Sequence, residues 1–209
     1  MAASNKNITS YFIGDAAQRA VNRPESSGRT SPKRLFLGIE LPQTERESLY
    51  TQLIPLIRKY PSFRWVHPDL YHATFQFFGE VEDTTKLIES IKTTLFDKDR
   101  FILYGTGLSM FQTTELVLHM TYRREKKIDE IVHSLETTYP TFVKQRAFIF
   151  HTCIARAPRS SKQQFFLLRK ILEKTEISIS YPVDSLTLFS SSKNSEGRKF
   201  TKVEEFPLL

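Results

Sequence analysis

Two five-residue stretches, YHATF at residues 71–75 and FHTCI at residues 150–154, carry one pattern twice. In each stretch a histidine stands within an apolar or aromatic run that is typical of a β-strand, and a small residue follows it two positions later. Side chains at i and i+2 of an extended strand share a face. Each histidine is therefore predicted to project on the same side as its small residue. Two imidazoles offered from matching strands favour acid–base chemistry, because the unperturbed histidine pKa lies near neutrality.

Strict alternation assigns the remaining residues of the two strands to faces. The apolar face of the first strand, which includes Phe77, is predicted to pack on a helix. A threonine hydroxyl beside a histidine can donate a hydrogen bond to a phosphate oxygen. The cleft-facing side is predicted to carry His72, Thr74 and Gln76 in the first strand and His151, Cys153 and Ala155 in the second.

The segments around these strands alternate between helical and strand-like spacing. The order strand, helix, histidine strand, helix, strands occurs in each half of the chain, which predicts an internal duplication with pseudo-twofold symmetry. The predicted fold class is α+β, with two lobes whose antiparallel-rich sheets face a central cleft and whose helices lie outside. Helices are predicted at 44–60, 84–96 and 160–174, with a third in chain order marked by apolar residues at 128–135 and stopped by Tyr139 and Pro140. Strands are predicted at 34–39, 71–78, 101–108, 116–122, 147–156, 183–189 and 199–206.

Composition limits the class of protein. The chain has 209 residues, of which 40 % are hydrophobic, and a formal net charge of +7, which favours an acidic partner such as nucleic acid. A single cysteine excludes an internal disulfide framework and suits a reducing compartment. No apolar run has the length of a membrane helix, and the start of the chain lacks a secretory signal. We expect an intracellular monomer, cytoplasmic or nuclear, that does not bind membranes.

The histidines have three other interpretations. A strand histidine is commonly structural, although two in matched contexts favour catalysis. A metal site is disfavoured because His67, His119 and His133 complete the histidine set without zinc-like spacing. Nucleophilic chemistry by Cys153 beside His151 lacks an evident third residue to orient the base.

Five ordered blocks give the chain a resemblance to a known family. Residues 33–209 resemble the two-histidine (2H) phosphoesterase superfamily, in particular its RNA 2′,3′-cyclic phosphodiesterase branch (2′–5′ RNA ligase, LigT-like). A bare His-x-Thr is a weak motif, whereas the ordered set with its flanking blocks is specific. The blocks are RLFLGIELP at 34–42, RWV at 64–66, HATFQFFGE at 72–80, VDSLTLF at 183–189 and FPL at 206–208.

The resemblance implies an activity and a division of roles. It implies hydrolysis of a terminal 2′,3′-cyclic phosphate to a 2′-phosphomonoester, with His72 as proton donor and His151 as proton acceptor, and reversible 2′–5′ RNA ligation by the same centre. It implies no metal and no nucleotide cofactor. Thr74, Cys153 and Arg156 correspond to substrate-binding positions. Strict alternation puts Arg156 on the wrong face, so a bulge or the end of the strand must redirect it.

The second motif departs from the family pattern. Cys153 stands where the family has threonine, and Ala147 and Phe150 stand where prolines are expected. A thiol is a weak hydrogen-bond donor. The expected consequence is a slower enzyme. The rival hypothesis is a catalytically weakened protein that binds RNA or nucleotide and is recruited to partners through its N-terminal tail.

Residues 1–32 are predicted to form a flexible tail. Within it, NKNITSYF at residues 5–12 resembles the peptide that binds a sliding clamp (PCNA-like), with asparagine in place of the usual glutamine. One helical turn would place Ile8, Tyr11 and Phe12 on one face as a plug for a hydrophobic pocket. The tail therefore predicts a sliding clamp as a partner besides RNA.

Overall fold

A computed structural model describes residues 34–142, 148–194 and 197–209. The predicted clamp-binding residues Ile8, Tyr11 and Phe12 lie outside this part of the chain, as does Ala147. The α-helices are α1 (Gln43–Lys59), α2 (Thr84–Leu95), α3 (Lys126–Thr138) and α4 (Lys162–Leu172). The strands are β1 (Arg34–Glu40), β2 (Arg64–Trp65), β3 (His72–Glu80), β4 (Phe101–Gln112), β5 (Leu116–Tyr122), β6 (His151–Ala157), β7 (Glu176–Val183), β8 (Ser185–Asn194) and β9 (Gly197–Pro207).

The strands form one sheet in the order β7-β4-β5-β6-β3-β1-β8-β9, with β2 paired to β6. The pairings are antiparallel. The two histidine strands are neighbours at the centre, where Ala73 pairs with Thr152 and joins one four-stranded half to the other. The α+β class with an antiparallel sheet is confirmed, and the two halves join side by side through this central pair.

The helices cover the two halves in pairs. Helices α1 and α4 pack against β7 and β4 of one half, while α2 and α3 pack against β9 and β3 of the other. The order strand, helix, histidine strand, helix occurs as β1-α1-β3-α2 and again as β5-α3-β6-α4. In both units the first helix crosses to the opposite half, which agrees with the predicted pseudo-twofold relation.

Local sequence explains where the helices begin and why α1 continues through a proline. The Asp83 side chain accepts a hydrogen bond from the backbone N–H of Lys86 at the start of α2, and Ser161 forms a capping box with Gln164 at the start of α4. Pro55 lies inside α1, and the helix nevertheless runs to Lys59, close to the predicted end at residue 60. Burial of its apolar face stabilises α1 beyond the proline; that face consists of Leu49, Leu53, Leu56 and Ile57.

Two strand assignments from the sequence differ from the structure. The prediction missed β7, although the segment EISISYPV at 176–183 alternates between exposed and buried residues along its whole length. Pro182 is tolerated there because β7 is an edge strand of the sheet. Strand β6 begins at His151, whereas the prediction started it at residue 147.

The core lies between the sheet and the helices. Its fully buried large side chains include Trp65 on β2, Leu37 on β1 and Ile91 on α2. Among the residues that the structure describes, no helix is both long and apolar enough to cross a membrane.

Candidate active site

Both histidines are held by the same hydrogen bond. His72 Nδ1 lies 2.7 Å from the carbonyl oxygen of Leu70, and His151 Nδ1 lies 2.7 Å from that of Ile149. Because a carbonyl oxygen only accepts, Nδ1 must carry the proton in each ring. The neutral form of each imidazole then has its lone pair on Nε2. Each ring therefore offers Nε2 for proton exchange with a ligand.

The central strand pairing sets the positions of the two motifs relative to each other. Ala73 pairs with Thr152. Extending this antiparallel register by one residue in each direction places His72 opposite Cys153 and His151 opposite Thr74. The two histidines are thus diagonal neighbours, a relation that places residues roughly 7–8 Å apart in a regular sheet. That separation leaves room for a phosphate group between the rings.

A β-bulge follows the small residue of each motif. In β3, Thr74 pairs with Gly38 and Gln76 with Leu37, so Phe75 is the extra residue. A bulge reverses the alternation of faces beyond it. Gln76 is consequently buried, at 8 % exposure, and Phe77 is 51 % exposed. The predicted cleft-facing position of Gln76 and the predicted packing of Phe77 on a helix were both wrong.

The second strand repeats this bulge one residue after Cys153. Cys153 pairs with His119 and Ala155 with Leu118, which leaves Ile154 as the extra residue. Ala155 is fully buried, so its predicted position beside His151 was wrong. Arg156 takes the exposed position instead. Strict alternation placed Arg156 on the wrong face, and the bulge brings it to the exposed face.

Arg156 follows the second motif in β6, and its guanidinium forms an ion pair with a neighbouring carboxylate. Its guanidinium Nη1 lies 3.7 Å from Glu115 Oε2, and Glu115 also binds Arg64. Burial lowers the pKa of His151 and the charge of Arg156 lowers it further, whereas at Cys153 the same charge partly opposes the burial that raises the pKa of the thiol. The two halves differ here, because the position equivalent to Arg156 in the first strand is Phe77.

Aromatic rings enclose both histidines. The His72 ring lies 5.1 Å from Phe36 and 4.7 Å from Phe200, measured between ring centroids. The His151 ring lies 5.0 Å from His119 and 5.3 Å from Phe111. None of these four residues was predicted from the sequence to be part of the site, since the strands that carry them are brought to the histidines by sheet pairing.

Burial lowers the pKa of the histidines at the site. Burial lowers the pKa of His72, and its hydrogen bond to Leu70 partly offsets this effect. Burial also lowers the pKa of His151. The pKa of His119 falls to about 4, chiefly through burial and secondarily through the charge of His151. His119 is only 3 % exposed and remains a neutral ring that forms a wall beside His151.

Cys153 has the surroundings of a protonated thiol. Burial raises its pKa, which Arg156 and Arg198 lower only in part. A nucleophilic cysteine requires a depressed pKa and a populated thiolate. The raised pKa therefore argues against a nucleophilic role for Cys153.

A pocket of about 260 Å³ opens beside His72. Its wall combines aromatic rings with basic and acidic side chains, a mixture that suits a nucleotide. No group of three or more His, Cys, Asp or Glu side chains in the described ranges is arranged to hold a metal ion. The residues lining the pocket are Phe36, Glu40, Asp69, Leu70, Tyr71, His72, Phe189, Arg198, Lys199, Phe200 and Lys202.

Comparison with known proteins finds similarity in structure. No protein-family model and no curated protein sequence matches the chain. Escherichia coli LigT in complex with 3′-AMP superposes with a TM-score of 0.65 at 22 % identity, covering 85 % of this chain and 99 % of LigT. The protein TT0787 of Thermus thermophilus gives 0.66 at 19 % identity, covering 84 % and 97 %. The chain has the LigT fold.

A more distant structure shares this fold. Kluyveromyces marxianus Usb1 superposes with a TM-score of 0.56 at 11 % identity, covering 82 % of this chain and 97 % of Usb1. At these identities the LigT fold is what the likeness establishes. The chemistry of the site rests on this chain's own residues.

Proposed function

We propose that this protein is a two-histidine phosphoesterase that hydrolyses 2′,3′-cyclic phosphate at RNA ends. The observation that carries the proposal is the matched anchoring of two imidazoles, each through Nδ1 to a backbone carbonyl 2.7 Å away. That anchoring leaves Nε2 of each ring for proton exchange, and the register around the pair of Ala73 and Thr152 supports a shared face for the two rings. One ring can then remove a proton while the other supplies one.

The proposed reaction uses the two rings in opposite protonation states. Neutral His151 accepts a proton from water at Nε2 as the water oxygen bonds to phosphorus. Protonated His72 donates its Nε2 proton to the ribose 3′ oxygen as the bond between that oxygen and phosphorus breaks. The product is a 2′-phosphomonoester, and a 5′-hydroxyl of a second RNA in the place of water would give a 2′–5′ linkage, with the ribose 3′ oxygen again as the leaving group. Burial lowers the pKa of His72 in the free protein, and the negative charge of a bound phosphate favours the protonated form that donates.

Three side chains are proposed to bind the phosphate. The hydroxyl of Thr74 and the guanidinium of Arg156 can donate hydrogen bonds to its non-bridging oxygens. Cys153 contributes a weaker thiol donor at the position opposite His72. Structures of Escherichia coli LigT with 3′-AMP and with phosphate support a nucleotide or phosphate ligand for the shared fold.

The test is product analysis with an oligoribonucleotide that ends in a 2′,3′-cyclic phosphate. Wild-type protein should yield the 2′-phosphate, and His72→Ala and His151→Ala should each lose activity by at least about 100-fold, the scale of general acid–base catalysis. His133→Ala is the matched control, because His133 is exposed on α3. A 3′-phosphate product, or full activity in both site variants, contradicts the proposal.

The weak donor at Cys153 supports a second candidate function. A protein that has lost much of its phosphate binding could retain the site for RNA or nucleotide recognition, with partners recruited through the tail. The same experiment separates the two functions. Tight binding of the oligoribonucleotide without turnover by the wild-type protein favours the binding function.

A further inference from the structure

The β8–β9 hairpin bends over the site from the far edge of the sheet. Strand β9 is separated from β3 by β1 and β8. Nevertheless the Phe200 ring of β9 lies 4.7 Å from the His72 ring. The pairing of β8 with β9 shifts register between Leu188 and Phe189, which leaves Val203 of β9 as an extra residue. This bulge lies three residues from Phe200. Bulges bend a strand and increase its twist, and this one turns the end of the hairpin toward the histidines.

The hairpin carries basic side chains into the pocket beside His72. Arg198 and Lys199 precede Phe200, and all three line the same cavity as His72. The Lys202 ammonium, also on this wall, is 2.8 Å from the Glu40 carboxylate. The charge of Lys202 is thus locally balanced. Arg198 is a further basic residue on this wall, which also includes the imidazole ring of His72.

The charge of Arg198 acts on both sides of the central strand pair. It adds to the burial that lowers the pKa of His72, and it partly opposes the burial that raises the pKa of Cys153. These two residues are opposite each other in the register that Ala73 and Thr152 define. Arg156 affects Cys153 from the other side. The thiol that replaces a threonine hydroxyl therefore lies within electrostatic reach of two guanidinium groups.

We propose that Arg198 binds the reacting phosphate and supplies the hydrogen-bond donor that Cys153 lacks. This inference rests on the proposed function of the site. A guanidinium donates strong, charge-assisted hydrogen bonds to phosphate oxygens. Its position in the pocket beside His72, across the strand pair from Cys153, fits a non-bridging oxygen of a phosphate held between the histidines. The ligand class is a single phosphate ester, so a nucleoside 2′,3′-cyclic phosphate is sufficient to engage Arg198.

The experiment is a double-mutant cycle with Arg198→Gln and Cys153→Thr, measured as kcat/KM on a nucleoside 2′,3′-cyclic phosphate. In the natural background Arg198→Gln should reduce kcat/KM by about tenfold or more, the scale of a charge-assisted hydrogen bond. In the Cys153→Thr background the same change should have a clearly smaller effect, because the restored hydroxyl takes over. Arg58→Gln on the exposed surface of α1 removes the same charge and should change neither background.

Three outcomes overturn the proposal. An equal loss in both backgrounds would show that Arg198 does not replace the function of the missing hydroxyl. A loss no larger than that of Arg58→Gln would show that Arg198 does not touch the phosphate. A loss confined to substrates with an additional 5′-phosphate would also overturn it, since Arg198 would then bind a different group.

Binding measurements keep this proposal separate from the proposed reaction. Titration of the same four proteins with a nucleoside 2′-monophosphate reports phosphate binding without turnover. If wild-type protein binds this ligand but hydrolyses no cyclic phosphate, the proposed reaction fails. The pattern of dissociation constants across the cycle then still decides whether Arg198 replaces the donor at Cys153.

Discussion

Gly38 lies where β1 approaches the backbone of the first histidine strand most closely. A Cβ built at Gly38 would lie 2.6 Å from the carbonyl oxygen of Ala73, and real Cβ atoms essentially never come within 3.0 Å of another heavy atom. That carbonyl belongs to the residue between His72 and Thr74. Ala73 also forms the pair with Thr152 that joins the two halves of the sheet. Gly38→Ala therefore forces a movement of backbone at the centre of the proposed site.

The expected cost follows from overpacking against an atom that cannot rotate away. Inserting a methyl group into such a contact typically destabilises a protein by about 1–3 kcal/mol. For a chain of this size each kcal/mol shifts Tm by about 2–4 °C. Because small displacements of catalytic groups can cost about 100-fold in rate, we also expect kcat/KM on a cyclic phosphate to fall by at least about tenfold.

Two other glycines of the same sheet provide controls. A Cβ at Gly107 would have Thr121 Oγ1 as its nearest neighbour, at an ordinary 3.6 Å. A Cβ at Gly105 would lie 2.6 Å from Met120 Sδ, the flexible end of a side chain that can move. In thermal unfolding, the Tm of Gly38→Ala should lie well below that of Gly105→Ala. The Tm of Gly107→Ala should be nearest to that of wild type. If Gly38→Ala is as stable and as active as Gly107→Ala, the reasoning about the Ala73 carbonyl is refuted.

Three further perturbations test other parts of the structure. Cys153→Thr should raise kcat/KM on a cyclic phosphate about tenfold, which corresponds to about 1.4 kcal/mol from one stronger donor; no gain would show that the position does not contact the phosphate. Arg156→Gln removes a charge that lowers the pKa of His151, so this pKa should rise and the acidic limb of the pH–kcat/KM profile should move to higher pH. An unmoved limb would argue against His151 as the base. Ser161→Ala removes the capping box with Gln164 and should cost about 1 kcal/mol in urea unfolding without changing kcat/KM.

Short-range patterns were sufficient to predict most of the elements. Helical spacing identified all four α-helices of the described chain, and the repeated histidine pattern identified β3 and β6. The pairing of each histidine with the small residue two positions later also holds, since Thr74 and Cys153 are half-buried on the same side as their histidines. These relations depend on backbone geometry within one strand or one helix.

The errors begin where that geometry is broken by a neighbouring strand. Strict alternation placed Gln76 and Ala155 in the site, whereas the two bulges bury both and expose Phe77 and Arg156. The bulges are defined by pairing with β1 and β5, which are distant in sequence from the residues they displace. No periodicity within a single strand contains that information.

The sequence by itself determined which groups are available for chemistry, namely two histidines in matched strands, a threonine in one motif and a cysteine in the other. The tertiary structure decided what surrounds them. It set the register that places His72 opposite Cys153, packed His119 against His151, and bent β9 so that Arg198 enters the pocket. The physical reason is that side-chain identity and strand periodicity are local properties, whereas register, bulges and sheet curvature arise only from pairing between strands that are far apart along the chain.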